Sequence, residues 1–212
     1  MPVDPLPLPE PHHVRECPGS GNCDGGCVTA ACVHARVKIV VNVGGVIVPQ
    51  YFLSDGPPPG FVLHPYSGPG PEGGHVEEAI PLAAEHGAWL TELVDHGASL
   101  AWASSRRAIA SEWIAPRLGL PAGLPALDVD GVSGVRFGRS YIFGAVAAYA
   151  EQMPLVWIDD LFGGKDHLWA EDRTRDDGIP TLLVPVAPRD GLRRQHIEEV
   201  LAWLDRSAGI RS

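Results

Sequence analysis

Short apolar runs rich in β-branched residues recur along this chain and alternate with longer segments of helical character. The runs with the composition of buried strands span residues 37–42, 99–104, 126–129, 154–160 and 181–186. Strands that alternate with helices of about 10–15 residues are typical of βα units. The sequence therefore predicts an α/β fold, with a doubly wound, mostly parallel sheet and helices on both of its faces.

Helices are predicted over residues 76–96, 106–118, 140–152, 166–177 and 192–204, and Pro81 and Gly87 divide the first of them. Two stretches lack this pattern. Residues 1–35 are rich in Pro, Gly and Cys, and 12 of the 21 residues from 54 to 74 are Gly or Pro. We predict an extension over residues 1–35 and an α/β domain over 36–212, with an irregular flap or loop insertion at 49–75.

The charge of the chain limits its partners. Acidic residues outnumber basic ones by 26 to 16, so the net charge is −10 at pH 7. A nucleic-acid surface needs clustered Lys and Arg, so general nucleic-acid binding is not expected. No apolar run approaches the ~20 residues that cross a bilayer, and the Pro-rich start does not resemble a signal peptide. We therefore expect a cytoplasmic protein with no membrane partner.

The four cysteines of the chain lie within sixteen residues of the extension, at Cys17, Cys23, Cys27 and Cys32. Their spacing fits the paired cysteines of zinc sites only in part. Zn²⁺ bound to these thiolates is one hypothesis, and free or locally oxidised thiols are the other.

Parallel sheets bind ligands at the carboxyl ends of their strands, so the residues that end each strand form the candidate site. These residues are Asn42, Gly44 and Gly45 after the first strand, Ser104 and Ser105 after the second, and Asp159 and Asp160 after the fourth. Each group has a simpler interpretation. The glycines are compatible with a plain turn, Ser104 with a helix N-cap, and the aspartates with solvated loop carboxylates.

Three segments at these strand ends together resemble the haloacid dehalogenase (HAD) superfamily, a large group of mainly phosphatases with a doubly wound fold. They read Val-Val-Asn42-Val-Gly44-Gly45, Ala-Trp-Ala-Ser104-Ser105 and Val-Trp-Ile-Asp159-Asp160. The resemblance covers about residues 37–204 and is closest to small actinobacterial members. The insertion at 49–75 lies where the family carries its flap and small cap, which implies a minimal cap in this chain.

The resemblance implies a chemistry from which this sequence departs. In the family, one aspartate attacks phosphorus, a second aspartate two residues later acts as acid and base, and Mg²⁺ binds the first aspartate and the acidic pair. Asn42 and Gly44 stand at the two aspartate positions here. The remaining implied roles are a site contact from Ser104, Mg²⁺ on Asn42, Asp159 and Asp160, and phosphate or ligand contacts from Gly45, Ser105 and Arg139.

The lysine of the family is also missing near its expected place, Ile142, and the only lysines of the chain are Lys38 and Lys165. A neutral amide is a poor nucleophile, and glycine has no side chain to move a proton. We therefore predict a HAD-like protein that has lost the phosphatase reaction and uses its cleft for binding or regulation, or for a different chemistry, with a small-molecule or protein ligand.

Two alternatives stay open. The first is a hydrolase of small phosphate esters with a rearranged site, built on Asp159 and Asp160 or on the motif Asp128-Val-Asp130-Gly. The short apolar run before Asp128 favours a simple turn at that motif. The second alternative is an accessory protein of a biosynthetic or RNA-repair cluster whose Cys-rich extension binds metal or a partner.

Overall fold

The structure is a computed structural model that describes residues 37–51, 55–70, 74–105, 107, 109–129 and 134–209. The predicted extension over residues 1–35, with its four cysteines, lies outside these ranges. In chain order the strands are β1 (Val37–Asn42), β2 (Val62–Pro69), β3 (His75–Leu82), β4 (Ala98–Ala103), β5 (Ala126–Leu127), β6 (Val135–Arg136), β7 (Arg139–Ser140), β8 (Leu155–Asp159) and β9 (Thr181–Pro185). The α-helices are α1 (Glu85–Asp95), α2 (Ala115–Arg117), α3 (Phe143–Ala150), α4 (Gly164–Arg175) and α5 (Arg194–Gly209).

Five of the strands form one parallel sheet in the order β5-β4-β1-β8-β9. The first strand in the chain is therefore the middle strand of the sheet, with β4 on one side and β8 on the other. The parallel pairing confirms the predicted α/β class. It also places the carboxyl ends of β4, β1 and β8 next to one another, since neighbouring strands of a parallel sheet run in the same direction.

Helices cover both faces of the sheet because the central strands are apolar on both sides. Ile39 and Val41 of β1 pack into a large core with residues of α1 and α5, whereas Val40 packs into a smaller core with residues of α3. Side chains of successive strand residues point to opposite faces, so an uninterrupted apolar run fills both cores. Burial of each such aliphatic side chain stabilises the fold by roughly 1.5–3 kcal/mol.

Part of the segment predicted to be an irregular insertion, residues 49–75, belongs to a β-hairpin. β2 and β3 pair in antiparallel register, from Val62 opposite Leu82 to Pro69 opposite His75. The predicted helix over residues 76–96 was wrong in its first part, because α1 begins only at Glu85. Along β3, exposed residues alternate with more buried ones up to Ile80, which is the period of a strand. The prolines are tolerated because both strands are edges, where a missing N–H need not be paired.

Two other helical predictions differ from the structure in detail. The segment predicted over residues 106–118 contains a π-helical turn, Ile109–Ile114, that continues into the short α2. The helix predicted over residues 140–152 is α3, and Ser140 lies instead in the small hairpin of β6 and β7. None of the helices in the described ranges is long and apolar enough to cross a membrane.

Candidate functional site

The strand-end residues predicted from the sequence meet at one edge of the sheet. Asn42 is the last residue of β1 and pairs with Ala103, the residue before Ser104. Asp159 ends β8 on the other side of β1, and Asp160 follows it. Parallel strands place all of these residues on the same edge, where α/β folds bind ligands.

The side-chain amide of Asn42 bridges the two aspartates. Its Nδ2 donates to Oδ1 of Asp159 at 2.8 Å and to Oδ1 of Asp160 at 3.1 Å. An amide nitrogen carries two hydrogens, so it can serve both carboxylates at once. The Oδ1 of Asn42 is buried and accepts no hydrogen bond from the described residues.

Asp159 is fully buried, and N–H donors surround its carboxylate. Besides Asn42, its Oδ1 accepts from the backbone N–H of Asp160 at 2.8 Å and of Leu161 at 3.3 Å, and its Oδ2 accepts from Nε1 of Trp157 at 3.0 Å. Burial raises the pKa of Asp159, the Asn42 hydrogen bond opposes this effect, and the charge of Asp160 adds to it. Asp159 is thus a fixed internal part of the strand end, whereas Asp160 is half-buried and faces a cavity.

The Gly-Gly pair after β1 has two different roles. Gly45 has a φ of +75°, and a Cβ at this position would lie 2.3 Å from Cγ of Asp160. Only glycine combines this backbone conformation with so close an approach. Gly44 is exposed, and a Cβ there would have no atom within 4 Å. A side chain at this position, where the HAD resemblance expects an acid/base aspartate, would therefore meet no atom of the described residues within 4 Å.

A cavity of about 420 Å³ lies over this edge of the sheet. Its lining includes the strand-end residues Asn42, Gly44, Ser104, Ser105 and Asp160. The segment from Glu78 to Pro81, in the second strand of the hairpin, forms another wall. The hairpin that the sequence analysis missed thus borders the candidate site.

Three further polar residues of the cavity were not predicted: Gln50, Glu78 and Tyr141. Gln50 donates to Oδ2 of Asp160 over 3.5 Å. Tyr141 lines the same cavity as Asp160. Burial raises the pKa of Tyr141, the charges of Asp159 and Asp160 raise it further, and a hydrogen bond with the Asn42 side chain opposes this effect. Tyr141 directly precedes Ile142, which is completely buried. The expected position of the family lysine could have pointed to this neighbourhood, but not to Tyr141.

A buried carboxylate fixes the chain just before Tyr141. Oδ2 of Asp166 accepts from the backbone N–H of Ser140 at 2.7 Å and of Gly163 at 2.8 Å. These bonds join the start of α4 to β7. They position the segment that carries Tyr141 into the cavity wall.

Arg139, predicted to contact phosphate or ligand, points elsewhere. Its guanidinium lies 3.7 Å from the ring centre of Phe143, donates to the carbonyl oxygen of Lys165 at 3.3 Å and lies 3.8 Å from Asp166. It is not among the described residues that line the cavity. A ligand contact from Arg139 stays a prediction that this placement does not support.

The cavity lining also lacks both lysines within the described part of the chain. Lys38 lies near the start of β1, at the opposite end of that strand, and donates to the carbonyl oxygen of Tyr149 at 2.6 Å. Lys165 lies in the first turn of α4. Neither lysine therefore takes the place of the phosphate-binding lysine that the HAD resemblance implies.

The motif at residues 128–131 does not reach Asp159 through the residues that the structure describes. Asp128 is exposed and forms an ion pair with Arg107. Asp130 lies outside the described ranges. Asn42, and not Asp128, hydrogen bonds to the acidic pair.

The donor set around Asn42 does not fit Mg²⁺ as it is arranged. Mg²⁺ requires oxygen ligands in near-octahedral geometry, but Asn42 directs its nitrogen toward both aspartates. Both oxygens of Asp159 already accept N–H bonds. Within the described ranges, no group of three or more His, Cys, Asp or Glu side chains could hold a metal ion. The Mg²⁺ prediction stays untested, and the Zn²⁺ prediction falls on cysteines outside those ranges.

Comparisons with known proteins assign no family. No protein-family model matches the chain, and no curated protein matches it. A crystal structure of a hypothetical protein from Xanthomonas campestris is similar to it, with 18% sequence identity, coverage of 86% of this chain and 92% of that chain, and a TM-score of 0.40. The resemblance to HAD proteins therefore depends on the residues at the strand ends.

Proposed function

We propose that this chain is a HAD-like protein that has lost aspartyl-phosphate chemistry and uses its strand-end cavity to bind a ligand. One observation carries the proposal. Asn42 takes the position that the resemblance assigns to the nucleophile, and its amide donates to both Asp159 and Asp160. The side chain at the expected nucleophile position, Asn42, is thus a neutral hydrogen-bond donor that bridges Asp159 and Asp160.

The second missing group supports the same conclusion. Gly44, at the acid/base position, offers no side chain, and no atom of the described residues lies within 4 Å of where its Cβ would be. General acid–base catalysis contributes about 10²–10⁴-fold to a rate, and the nucleophile contributes more, so the loss of both removes most of the acceleration. None of the described residues that line the cavity is Lys, Arg or His, so none of them supplies a cation to a phosphate group.

Features of a binding site are present even so. The cavity volume of about 420 Å³ lies within the range of small-molecule sites, which is roughly 300–1,000 Å³. Asp160, Gln50, Tyr141 and Ser105 supply polar groups around it, and Ile80 and Ile114 supply apolar surface. This combination of a few polar groups with an apolar wall is typical of specific ligand sites.

The test is phosphatase activity with p-nitrophenyl phosphate and Mg²⁺. We expect the wild-type rate to equal that of Asp159→Asn and to be unaffected by chelation of Mg²⁺. Incubation with acetyl phosphate should leave the mass of the protein unchanged. A Mg²⁺-dependent rate that Asp159→Asn abolishes, or a covalent acyl phosphate detected by mass spectrometry, would show that the chain is a working hydrolase.

A gain-of-function series sharpens the test. The double variant Asn42→Asp/Gly44→Asp restores both carboxylates, and the open space at Gly44 leaves room for the second one. We expect this variant to exceed both single variants in Mg²⁺-dependent turnover, since the nucleophile and the acid act in one reaction. Equal rates for the double variant and Gly44→Asp would mean that position 42 is not the nucleophile position.

A further inference from the structure

A phenylalanine lies at the tip of the β6–β7 hairpin, in a turn that disfavours it. Arg136 pairs with Arg139, so the turn consists of Phe137 and Gly138, whose φ values are +51° and +81°. Two-residue turns with positive φ at both positions favour Asn-Gly, Asp-Gly or Gly-Gly. A bulky side chain is strained in this conformation, because its Cβ crowds the backbone. The turn therefore does not account for the presence of Phe137.

The Phe137 side chain also packs against almost nothing in its own chain. It is 93% exposed, which is the largest value among the bulky hydrophobic side chains that the structure describes. An exposed phenyl ring forgoes the stabilisation of burial, and strained backbone positions of this kind cluster at sites of function. Backbone strain and the exposure of an aromatic ring, which are independent observations, both indicate that Phe137 packs against a partner outside its own chain.

The surroundings of Phe137 are cationic, although the net charge of the chain is −10. Arg136 is exposed next to it, and Lys165 of α4 is exposed beside Gly138, where a Cβ would lie 3.3 Å from Cγ of Lys165. Neither Arg136 nor Lys165 forms an ion pair with another described residue. Like charges would oppose a contact between two such turns. The complementary surface is an apolar pocket that carries a carboxylate.

The strand-end cavity of this chain has these properties. Val48, Ile80 and Ile114 form an apolar wall, and Asp160 brings a half-buried carboxylate to the lining. The cavity volume of about 420 Å³ accommodates a phenyl ring, since a protein cavity of roughly 150 Å³ binds benzene. Because Phe137 is almost fully exposed, it does not occupy the cavity of its own chain. The cavity of a second copy is therefore a matching partner.

Resting on the proposed function, we propose that the ligand of the strand-end cavity is the β6–β7 turn of a second copy of this chain, with Phe137 against the apolar wall and Arg136 beside Asp160. Phe137 precedes Tyr141, a cavity residue, by four positions, so their Cα atoms are at most about 14 Å apart. Turn and cavity are thus close enough for two copies to exchange their turns around a twofold axis. Such an exchange buries both phenyl rings and closes the assembly as a dimer.

The first test measures self-association of the full-length protein by sedimentation equilibrium at pH 7. We expect the wild type to dimerise with increasing concentration, and Phe137→Asn to raise the dimer Kd at least about thirtyfold, as the loss of a central aromatic anchor does. Asn suits the turn better than Phe, so the Tm of this variant, measured where the wild type is monomeric, should equal or exceed that of the wild type. Val94→Asn is the control, because Val94 is also hydrophobic and exposed but lies in α1 and does not line the cavity. Its dimer Kd should be unchanged.

The second test identifies the cavity as the surface that receives the turn. Ser105→Trp places an indole in the cavity from an exposed lining position and should also prevent dimerisation. An equal mixture of Phe137→Asn and Ser105→Trp should associate more tightly than either variant alone, because the intact turn of one variant meets the intact cavity of the other. Asp160→Asn should weaken the dimer about tenfold and reduce its dependence on salt, since it removes the partner of Arg136.

Four results would overturn the inference. They are a wild type that stays monomeric up to about 1 mM, a lower Tm with an unchanged dimer in Phe137→Asn, a mixture of the two variants that associates no better than either alone, and binding of the monomer to phosphatidylserine vesicles that requires Phe137, which would assign the turn to a membrane surface. The proposed function is tested separately. If the wild type is monomeric and phosphate esters are not hydrolysed, only the dimer inference fails, whereas Mg²⁺-dependent turnover would refute the proposed function itself.

Discussion

The side-chain nitrogen of Asn42 donates a 2.8 Å hydrogen bond to Oδ1 of Asp159, a carboxylate that is completely buried. The bond joins the carboxyl ends of β1 and β8 through side chains. Because a buried carboxylate is costly unless donors surround it, the amide of Asn42 is part of what makes the strand end stable. The position that the HAD resemblance assigns to a nucleophile thus carries a hydrogen bond between two strand ends.

Asn42→Asp should destabilise the protein. The change removes a donor to Asp159 and adds a third carboxylate beside two others, so we expect the free energy of unfolding at pH 7 to fall by roughly 2–4 kcal/mol. Urea unfolding measures this loss. Asn42→Leu removes the donor without adding charge and should cost less. If Asn42→Asp is as stable as the wild type, the amide is not needed to hold the acidic pair.

A pair of buried tryptophans allows the contribution of one side-chain donor to Asp159, Nε1 of Trp157, to be measured separately. Trp157 and Trp102 are both completely buried, but only Nε1 of Trp157 has an acceptor among the described residues, Oδ2 of Asp159 at 3.0 Å. Trp157→Phe and Trp102→Phe make the same change in side-chain size. We expect the Trp157 variant to lose about 1–3 kcal/mol more in urea unfolding, which is the cost of leaving a buried acceptor short of a donor. Equal losses would contradict a stabilising role for this bond.

The two glycines after β1 should differ sharply in their tolerance of alanine. Gly45→Ala brings a Cβ to within 2.3 Å of Cγ of Asp160 and strains a backbone with φ of +75°. Gly44→Ala meets no atom within 4 Å. We expect Gly45→Ala to cost roughly 2 kcal/mol or more, seen as a fall in Tm, and Gly44→Ala to cost less than about 1 kcal/mol. A larger effect at Gly44 would mean that the turn is built differently.

His86 should make the protein sensitive to acid. It is 1% exposed, its Nε2–H donates to the carbonyl oxygen of Leu192 at 3.1 Å, and burial lowers its pKa from 6.5 to about 4. The folded state therefore favours neutral His86. Its contribution to stability is complete above about pH 6.5 and is lost as the pH falls toward 4, by about 3 kcal/mol.

Unfolding in urea at pH 7 and at about pH 4 checks this effect. His86→Gln can keep a donor to Leu192 but cannot titrate, so its stability should fall less with pH than that of the wild type. His96→Gln, at an exposed position after α1, should behave as the wild type does. A pH dependence that is the same in wild type and His86→Gln would rule out His86 as the cause.

The strands of the sheet and the residues at their ends could be predicted from sequence because both depend on local composition. β1 and β8 are continuous apolar runs, and in a parallel sheet such runs must be covered on both faces. That requirement also places their carboxyl ends at one edge. The β2–β3 hairpin was missed because eight of the 21 residues from 62 to 82 are Gly or Pro and hide the strand alternation. Only pairing between the two strands makes those backbones regular.

The amino-acid sequence by itself determined the α/β class and the presence of an amide and a glycine where the HAD resemblance expects two carboxylates. Tertiary structure alone decided which atoms meet. It directs Nδ2 of Asn42 to two aspartates more than a hundred residues away, brings Tyr141 into the cavity wall and turns Arg139 toward α4. The physical reason is that hydrogen-bond partners and cavity walls depend on distances in space, and a linear pattern of residues does not contain those distances.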